Sequence, residues 1–179
     1  MSYQIRMFGD PVLKSKAAPV ADIDGKIVRL VDDMFETLGE SDNGLALAAP
    51  QIGVQKQVVV WDFGEDPKTI FNPEIVESDG EWVYEEGCLS IPGLYVEIVR
   101  PKQVHLRGVD VDGNPVEWEA DELEARMFQH ELDHLNGVLM FDRMTPDQRR
   151  EAMAEYRRIN EQNAPPPPMN GPLRRLRLR

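Results

Sequence analysis

The sequence has a single cysteine, Cys88, among its 179 residues, so it cannot form an intramolecular disulfide bond. A lone thiol either packs as an inert side chain or takes part in chemistry in a reducing compartment. The sequence also lacks any run of about eighteen apolar residues, the length needed to cross a bilayer. Four charged side chains interrupt the first eighteen residues, where a signal peptide would be apolar. We therefore expect a cytoplasmic protein with no membrane partner.

Basic residues are scarce relative to acidic ones, with 20 Lys and Arg against 32 Asp and Glu and a net charge of -12. An acidic surface repels the phosphate backbone, so we expect no DNA partner and no general affinity for nucleic acids. Residues 163–179 are the exception, because they contain four arginines and no acid. Their four consecutive prolines are typical of a stiff, extended linker. We predict one folded domain over residues 1–162 and a Pro-rich linker with a basic tail over residues 163–179.

Hydrophobic periodicity predicts a first helix and several strands. Apolar residues three and four positions apart indicate an amphipathic helix over residues 22–39, which ends at Gly39. Residues 58–63 are typical of a buried strand. A turn at residues 112–115 joins two alternating segments and indicates a β-hairpin.

A second helix is predicted over residues 122–136, with Asp121 and Glu124 as an N-terminal capping signature and Gly137 at its end. Apolar residues cover most of its circumference, which is typical of a buried helix. A further, polar helix is expected over residues 145–162. This order of elements favours an α+β fold, with mostly antiparallel strands around a buried central helix and a further C-terminal helix.

The central helix carries an HExxH motif, His130-Glu131-Leu132-Asp133-His134, which uses two of the three histidines in the chain. Histidines at i and i+4 lie on one helix face, so both imidazoles can bind one metal ion. Glu131 is rotated by about 100° and can reach a metal-bound water as a general base. A pair of core histidines beside an exposed glutamate is the alternative, but it leaves the combination of all three residues unexplained. The motif therefore predicts a catalytic metal site.

A catalytic site of this kind needs a third protein ligand, and several candidates are open. The position six residues after the second histidine is Met140, which excludes the metzincin arrangement. Glu151 or Glu155 would complete a gluzincin-type peptidase. Cys88 follows a glycine that allows close approach of the backbone. His105 lies in an alternating strand, where packing is the favoured interpretation. A non-catalytic, metal-stabilised binding module is a further alternative, but it gives no reason for a glutamate between the two histidines.

Three segments resemble the signature motifs of peptide deformylases, in the same order and with similar spacing: GLALAAPQ at residues 44–51, EGCLS at residues 86–90 and QHELDHLNG at residues 129–137. The likeness extends from about residue 6 to residue 144. Two positions depart from the family pattern. Ala46 stands where the first motif usually has glycine, and Tyr95 stands where many relatives carry an arginine. We expect a negative φ at Ala46, with its methyl group narrowing the substrate groove.

The resemblance implies a metal ion held by Cys88, His130 and His134. It further implies that Glu131 acts as general acid and base, and that Gln51 and the backbone amide of Leu89 form an oxyanion hole. The reaction would release formate from N-formylmethionyl nascent peptides. The ligand set suits iron(II), zinc, nickel or cobalt, and the family likeness favours iron(II).

Supporting residues follow from their proximity to the motifs. Glu86 and Asp133 are the nearest acids that could hold a ligating imidazole. The predicted substrate-binding residues are Leu45, Ala46, Tyr84, Gly87 and Met127. Because deformylases act on chains that leave the ribosome, the basic tail suggests a transient ribosome contact. A tail without a specific role, or one that docks on a protein surface, is the alternative.

Overall fold

The structure is a computed structural model that describes residues 1–41, 44–64 and 66–163. It contains two antiparallel sheets and three α-helices, together with short 3-10 turns. The strands are β1 (Ala46–Ala48), β2 (Val58–Trp61), β3 (Lys68–Asp79), β4 (Trp82–Cys88), β5 (Ile91–Arg100), β6 (Gln103–Val109) and β7 (Pro115–Asp121). The helices are α1 (Gly25–Gly39), α2 (Glu122–Leu135) and α3 (Pro146–Asn163). The predicted α+β fold with mostly antiparallel strands is confirmed.

The larger sheet has the order β1-β2-β3-β6-β7, and β4 pairs with β5 as a separate hairpin. Strand β2 is buried along its whole length because both faces of the sheet are covered. Val58 and Val60 belong to the cluster that includes α1, whereas Val59 and Trp61 belong to the cluster that includes α2. Successive side chains of a strand point to opposite faces, so α1 and α2 lie on opposite sides of this sheet.

Helix α1 forms where the periodicity predicts it, but it begins at Gly25. The side chain of Asp24 accepts hydrogen bonds from the backbone N–H of Lys26 at 2.9 Å and of Ile27 at 3.0 Å, and these bonds cap the helix. The face that carries Met34 and Leu38 is buried against the sheet. Burial of this apolar face stabilises the helix more than its intrinsic propensity does.

Helix α2 carries the HExxH motif, and ten of its side chains are buried. The predicted capping signature at its start is wrong in one respect. Asp121 occupies the cap position, but its side chain makes no capping hydrogen bond. Asp121 is also the last residue of β7, where it pairs with Gln103, and the chain turns into the helix at Glu122 with a φ of 44°. Asp121 therefore keeps the extended backbone of a strand, and the predicted capping hydrogen bond to its side chain is not formed.

Helix α3 packs against β5 through Ala152 and Tyr156, and it ends at Asn163. The predicted linker and basic tail, residues 163–179, lies outside the described residues apart from Asn163. Among the described residues, none of the helices is both long enough and apolar enough to cross a membrane.

Candidate metal centre

Three side chains from two elements converge at one end of the buried helix. Cys88 ends β4, directly after a register shift in the β4–β5 ladder at Gly87. His130 and His134 lie one turn apart on α2. The Sγ atom of Cys88 is 3.3 Å from Nε2 of His134, and Nε2 of His134 is 3.2 Å from Nε2 of His130. All three donor atoms lie within 4.8 Å of one another.

These separations fit the ligands of one divalent ion. Metal–nitrogen bonds of about 2.0 Å and metal–sulfur bonds of about 2.3 Å place tetrahedral ligand atoms roughly 3.3–3.6 Å apart. Within the described part of the chain, this is the one group of three or more cysteine, histidine or acidic residues with such convergence. Three protein ligands leave a fourth position open, which is the arrangement of catalytic rather than structural sites.

The other candidates for a third ligand lie elsewhere. Glu155 forms an ion pair with Arg158 at 2.5 Å on the solvent side of α3. Glu151 is also exposed on this helix. His105 is partly exposed in β6 and lies 3.4 Å from Glu117. The gluzincin arrangement is therefore contradicted by the structure, and the packing interpretation of His105 is the one it supports.

Electrostatics favour the metal-binding form of the thiol. Burial would raise the pKa of the Cys88 thiol, but attraction to the imidazoles of His134 and His130 outweighs it and holds the pKa well below its ordinary value. Burial lowers the pKa of His130, whereas the Cys88 and Glu86 anions raise it, with a net shift well above its usual range. The net shift favours the thiolate of Cys88, which is the form of cysteine that binds metals.

Glu86 connects the ligands to a buried ion-pair network. Its Oε1 atom lies 2.7 Å from Nδ1 of His130, so the structure shows the expected contact between this acid and an imidazole of the HExxH motif. Arg100 donates two hydrogen bonds to Glu86, at 2.7 and 2.6 Å, and Arg126 donates a third at 3.0 Å. Burial would raise the pKa of Glu86, but the hydrogen bonds and charges of Arg100 and His130 outweigh it, and the pKa lies well below its ordinary value.

Asp133 has a different role from Glu86, although both were candidates to hold an imidazole. It accepts a hydrogen bond from Arg100 at 2.9 Å and two from Arg143. Arg100 and Arg126, which are almost fully buried, were not predicted from the sequence. A buried charge needs a partner. The available signal was the position of Arg126 four residues before His130, on the same face of the predicted helix.

Glu131 is buried beside the three convergent ligands. Its side-chain Oε2 atom has no hydrogen-bond partner among the described residues, and the residue lines the cleft above the site. Desolvation by burial raises the pKa of its carboxyl group. An acceptor that is desolvated and unpaired is suited to take a proton from a water bound in the cleft.

Gln51 lies beside Cys88, in a 3-10 turn after β1. Its Oε1 atom accepts a hydrogen bond from the backbone N–H of Ala48 at 2.9 Å, which orients the amide nitrogen toward the site. That nitrogen lies 3.4 Å from Oγ of Ser90 and 3.8 Å from Sγ of Cys88. The side chain thus presents an N–H donor beside the three convergent side chains.

The site opens into a cleft of about 470 Å³ between β1, β4 and α2. Of the predicted substrate-binding residues, four line it: Leu45, Ala46, Gly87 and Met127. Leu89 and Tyr95 also line it. Tyr84 is not among the lining residues, because its ring stacks on that of Trp82 with the centroids 4.5 Å apart.

Ala46 follows the expectation for its backbone. Among the described residues, the non-glycine positions with positive φ are Asn72 and Glu122, so the φ of Ala46 is not in the left-handed region. Ala46 instead lies in β1, where it pairs with Trp61. The glycine of the family pattern is therefore not needed here for its conformational freedom.

An α+β fold that brings a cysteine, two histidines of one helix turn and a buried glutamate to a cleft defines a metal-dependent hydrolase. The polypeptide deformylase family model matches residues 2–150. A peptide deformylase from Thermotoga neapolitana is 47% identical over 148 residues, which are 82% of this chain and 90% of that protein. The chain therefore belongs to the peptide deformylase family.

Solved structures agree with this assignment. The crystal structure of a peptide deformylase from Legionella pneumophila is similar with a TM-score of 0.86 at 38% identity, covering 93% of this chain and 100% of that one. The crystal structure of the peptide deformylase from Thermotoga maritima is similar with a TM-score of 0.78 at 46% identity, covering 82% of this chain and 99% of that one. As a member of this family, the protein is a metallohydrolase that removes the formyl group from nascent peptides.

Proposed function

We propose that the formyl group of N-formylmethionyl peptides is hydrolysed at the centre formed by Cys88, His130 and His134, with Glu131 as the general acid and base. The observation that carries this proposal is the position of the Glu131 carboxylate. It is buried, it has an unpaired oxygen among the described residues, and it lines the cleft beside the three convergent ligands. A merely structural glutamate at this place would leave a desolvated acceptor without a function.

The residues divide the chemistry between them. Cys88, His130 and His134 would hold a divalent ion, which would supply Lewis-acid polarisation and make the attacking water more acidic. Glu131 accepts the proton of the attacking water and later donates it to the departing amine, so that formate and a free amino terminus result. The raised pKa of Glu131 suits both directions of this transfer, because it brings the carboxyl group closer to neutral pH.

The negative charge that develops on the formyl oxygen needs donors that are already in place. We propose Gln51 and the backbone N–H of Leu89 for this role. The Gln51 amide is fixed by its hydrogen bond from Ala48, so its N–H group needs little rearrangement. Both donors are neutral, and they stabilise the oxyanion without adding a charge to the buried site.

The peptide itself is proposed to bind as an extended strand. Strand β1 is an edge strand of the larger sheet, and β4 belongs to a two-stranded hairpin. Among the described residues, each of these strands therefore pairs with another strand on one side only. The cleft is lined by residues of both strands. Backbone pairing at a sheet edge would hold the chain irrespective of its sequence, while Leu45 and Met127 supply apolar surface for the first side chain.

We assign iron(II) as the native ion, in keeping with the family likeness, although zinc, nickel or cobalt would also suit a thiolate with two imidazoles. The thiolate ligand makes such a centre sensitive to oxidation. Activity of the iron form should decay in air and persist without oxygen or after substitution by nickel. An air-stable iron form with full activity would contradict the assignment.

The cytoplasm is the proposed location, since a thiolate ligand requires a reducing compartment. We also propose a transient contact with the ribosome through the basic tail, residues 163–179, joined to a catalytic domain of residues 1–162. The tail has four arginines and no acid in a chain with a net charge of -12. Positive charge of this density is suited to the phosphates of ribosomal RNA.

One assay tests the central proposal. The purified, metal-loaded protein should release formate from formyl-Met-Ala-Ser and should leave the unformylated peptide intact. Cleavage of the unformylated peptide would indicate a peptidase instead. A protein that binds metal but acts on neither peptide would indicate a non-catalytic module.

A further inference from the structure

The proposed metal ligands lie on two elements, β4 and α2, which are connected by hydrogen bonds from side chains. Strand β4, which supplies Cys88, pairs with β5, whereas α2, which supplies both histidines, packs on the larger sheet. The Sγ–Nε2 distance of 3.3 Å between Cys88 and His134 therefore depends on what holds β4 against α2. Metal-site geometry tolerates little error in such a distance.

Arg126 of α2 clamps β4 at two points. Its Nη1 atom donates to Oε2 of Glu86 at 3.0 Å, and its Nη2 atom donates to the backbone oxygen of Trp82 at 2.8 Å. The guanidinium also lies over the Trp82 ring, 5.1 Å from its centroid. One guanidinium group of α2 thereby binds both Trp82 and Glu86, which are four residues apart on β4.

The same carboxylate also holds a ligating histidine. Arg126 and His130 are at i and i+4 on α2, so they share a helix face. Arg126 binds Oε2 of Glu86 while His130 lies 2.7 Å from Oε1. Two residues one turn apart on α2 thus contact the two oxygens of Glu86. Arg100 of β5 also donates a hydrogen bond to each of these oxygens. The orientation of the His130 ring depends on a carboxylate that Arg126 helps to fix.

Burial of this arginine is costly. Arg126 is 3% exposed, and its Nε atom has no partner among the described residues. A well-packed apolar side chain is often as stabilising as a buried ion pair or more so. Stability alone therefore gives little reason for an arginine at this position, whereas a clamp with directed donors does.

We propose that Arg126 is a positioning residue of the metal centre, which holds β4 against α2 and fixes the Glu86 carboxylate that orients His130. The proposal rests on the assignment of Cys88, His130 and His134 as the ligands. It adds a residue that touches none of the reacting atoms, and it predicts that metal binding depends on Arg126 as well as on the ligands.

The test compares Arg126→Leu and Arg126→Lys with Arg107→Gln, a control that removes an arginine whose two hydrogen bonds to Glu74 lie on the exposed surface. Competition with a chelator should show about 10-fold to 100-fold weaker nickel binding in Arg126→Leu. The cobalt-substituted variant should also show a shifted thiolate-to-cobalt absorption band. Arg126→Lys should have a nickel affinity between those of Arg126→Leu and the original protein. One ammonium group cannot donate to Trp82 and to Glu86 at the same time. Arg107→Gln should match the original protein in both measurements.

Turnover separates positioning from substrate contact, because Arg126 also lines the cleft. With saturating metal, Arg126→Lys should lower kcat for a formyl-peptide with little change in KM. A rise in KM alone would overturn the proposal, as would unchanged nickel affinity and an unchanged cobalt spectrum in both variants. If the leucine variant does not fold, the lysine variant decides. Metal retention by Cys88→Ala would instead refute the underlying ligand assignment.

Discussion

Cys88 is the residue on which the identity of the metal centre depends, because histidine pairs of HExxH type occur with several different third ligands. Replacement of Cys88 by alanine removes the thiolate that lies 3.3 Å from His134. We expect Cys88→Ala to lose most of its bound metal and its activity. Metal analysis of the purified variant measures this loss.

The matched control is Glu155→Ala, which removes the other class of candidate ligand. Glu155 is paired with Arg158 and lies away from the cleft. This variant should keep one metal ion per chain and near-normal turnover. A full complement of metal in Cys88→Ala, or its loss in Glu155→Ala, would be incompatible with the proposed ligand set.

Glu131 tests the chemical step separately from metal binding. Glu131→Gln keeps the size of the side chain and its reach but removes the base, so we expect kcat to fall by roughly 10²-fold to 10⁴-fold. The metal content should not change, since this side chain is not among the three convergent ligands. Steady-state kinetics with metal analysis of the same sample measures both quantities. Near-normal turnover would remove Glu131 from the mechanism.

At the scale of residues, local patterns point to the residues that we propose for the chemistry, but they miss the buried residues that contact them. The HExxH spacing places His130 and Glu131 on known helix faces, so their roles could be predicted without a structure. Arg100 reaches Glu86 from a different strand, and no periodicity in the sequence reports such a contact. Tyr84 is adjacent to a motif in sequence, but its stacking on Trp82 places it outside the cleft lining.

At the scale of elements, Gly137 connects the end of α2 to the N-terminal segment. Its φ is +70°, and a Cβ atom there would lie 2.7 Å from the backbone of Lys14. Gly137→Ala combines left-handed strain with a clash against backbone, so we expect the free energy of unfolding to fall by about 2 kcal/mol or more. Urea unfolding of the two proteins measures the difference.

Gly39→Ala is the corresponding control, because Gly39 ends α1 and a Cβ atom there would have nothing within 4 Å. Alanine has the higher helix propensity, so this variant should be unchanged or more stable by up to about 1 kcal/mol. Equal effects at the two glycines would show that the close approach of Lys14 does not constrain the end of α2.

Helices and the β6–β7 hairpin could be predicted because short-range patterns determine them. Strand β3 could not, since Pro73 and the positive φ of Asn72 interrupt its alternation, and its pairing with β6 contains two register shifts. The β4–β5 hairpin is likewise interrupted by Gly87 and Gly93. Long-range pairing stabilises these strands against their local preferences, and a local pattern carries no information about such pairing.

At the scale of the whole molecule, residues 1–162 are acidic and residues 163–179 are basic. The chain has a net charge of -12, although its last seventeen residues carry four arginines and no acid. The proposed chemistry uses none of these residues, since the ligands, Glu131 and Gln51 all lie between residues 51 and 134. The tail therefore serves the proposed ribosome contact, docks on a protein surface or has no specific role.

Deletion of residues 164–179, directly after α3, distinguishes these possibilities. We expect turnover of a free formyl-peptide to remain within about twofold, because the cleft and its ligands are intact. Co-sedimentation with ribosomes should weaken, and the loss should be largest at low salt. The Debye length is about 30 Å at 0.01 M salt and about 8 Å at 0.15 M, so screening already suppresses an electrostatic contact at the higher concentration.

A second variant separates charge from length. Replacement of Arg174, Arg175, Arg177 and Arg179 by glutamine keeps the prolines and leucines of the tail. If the arginines contact ribosomal phosphates, this variant should behave like the deletion, and the dependence of binding on salt should become shallower. Ribosome association that survives both changes at low salt would rule out the electrostatic contact. A collapse of free-peptide turnover in the deletion would show that the tail is part of the folded enzyme.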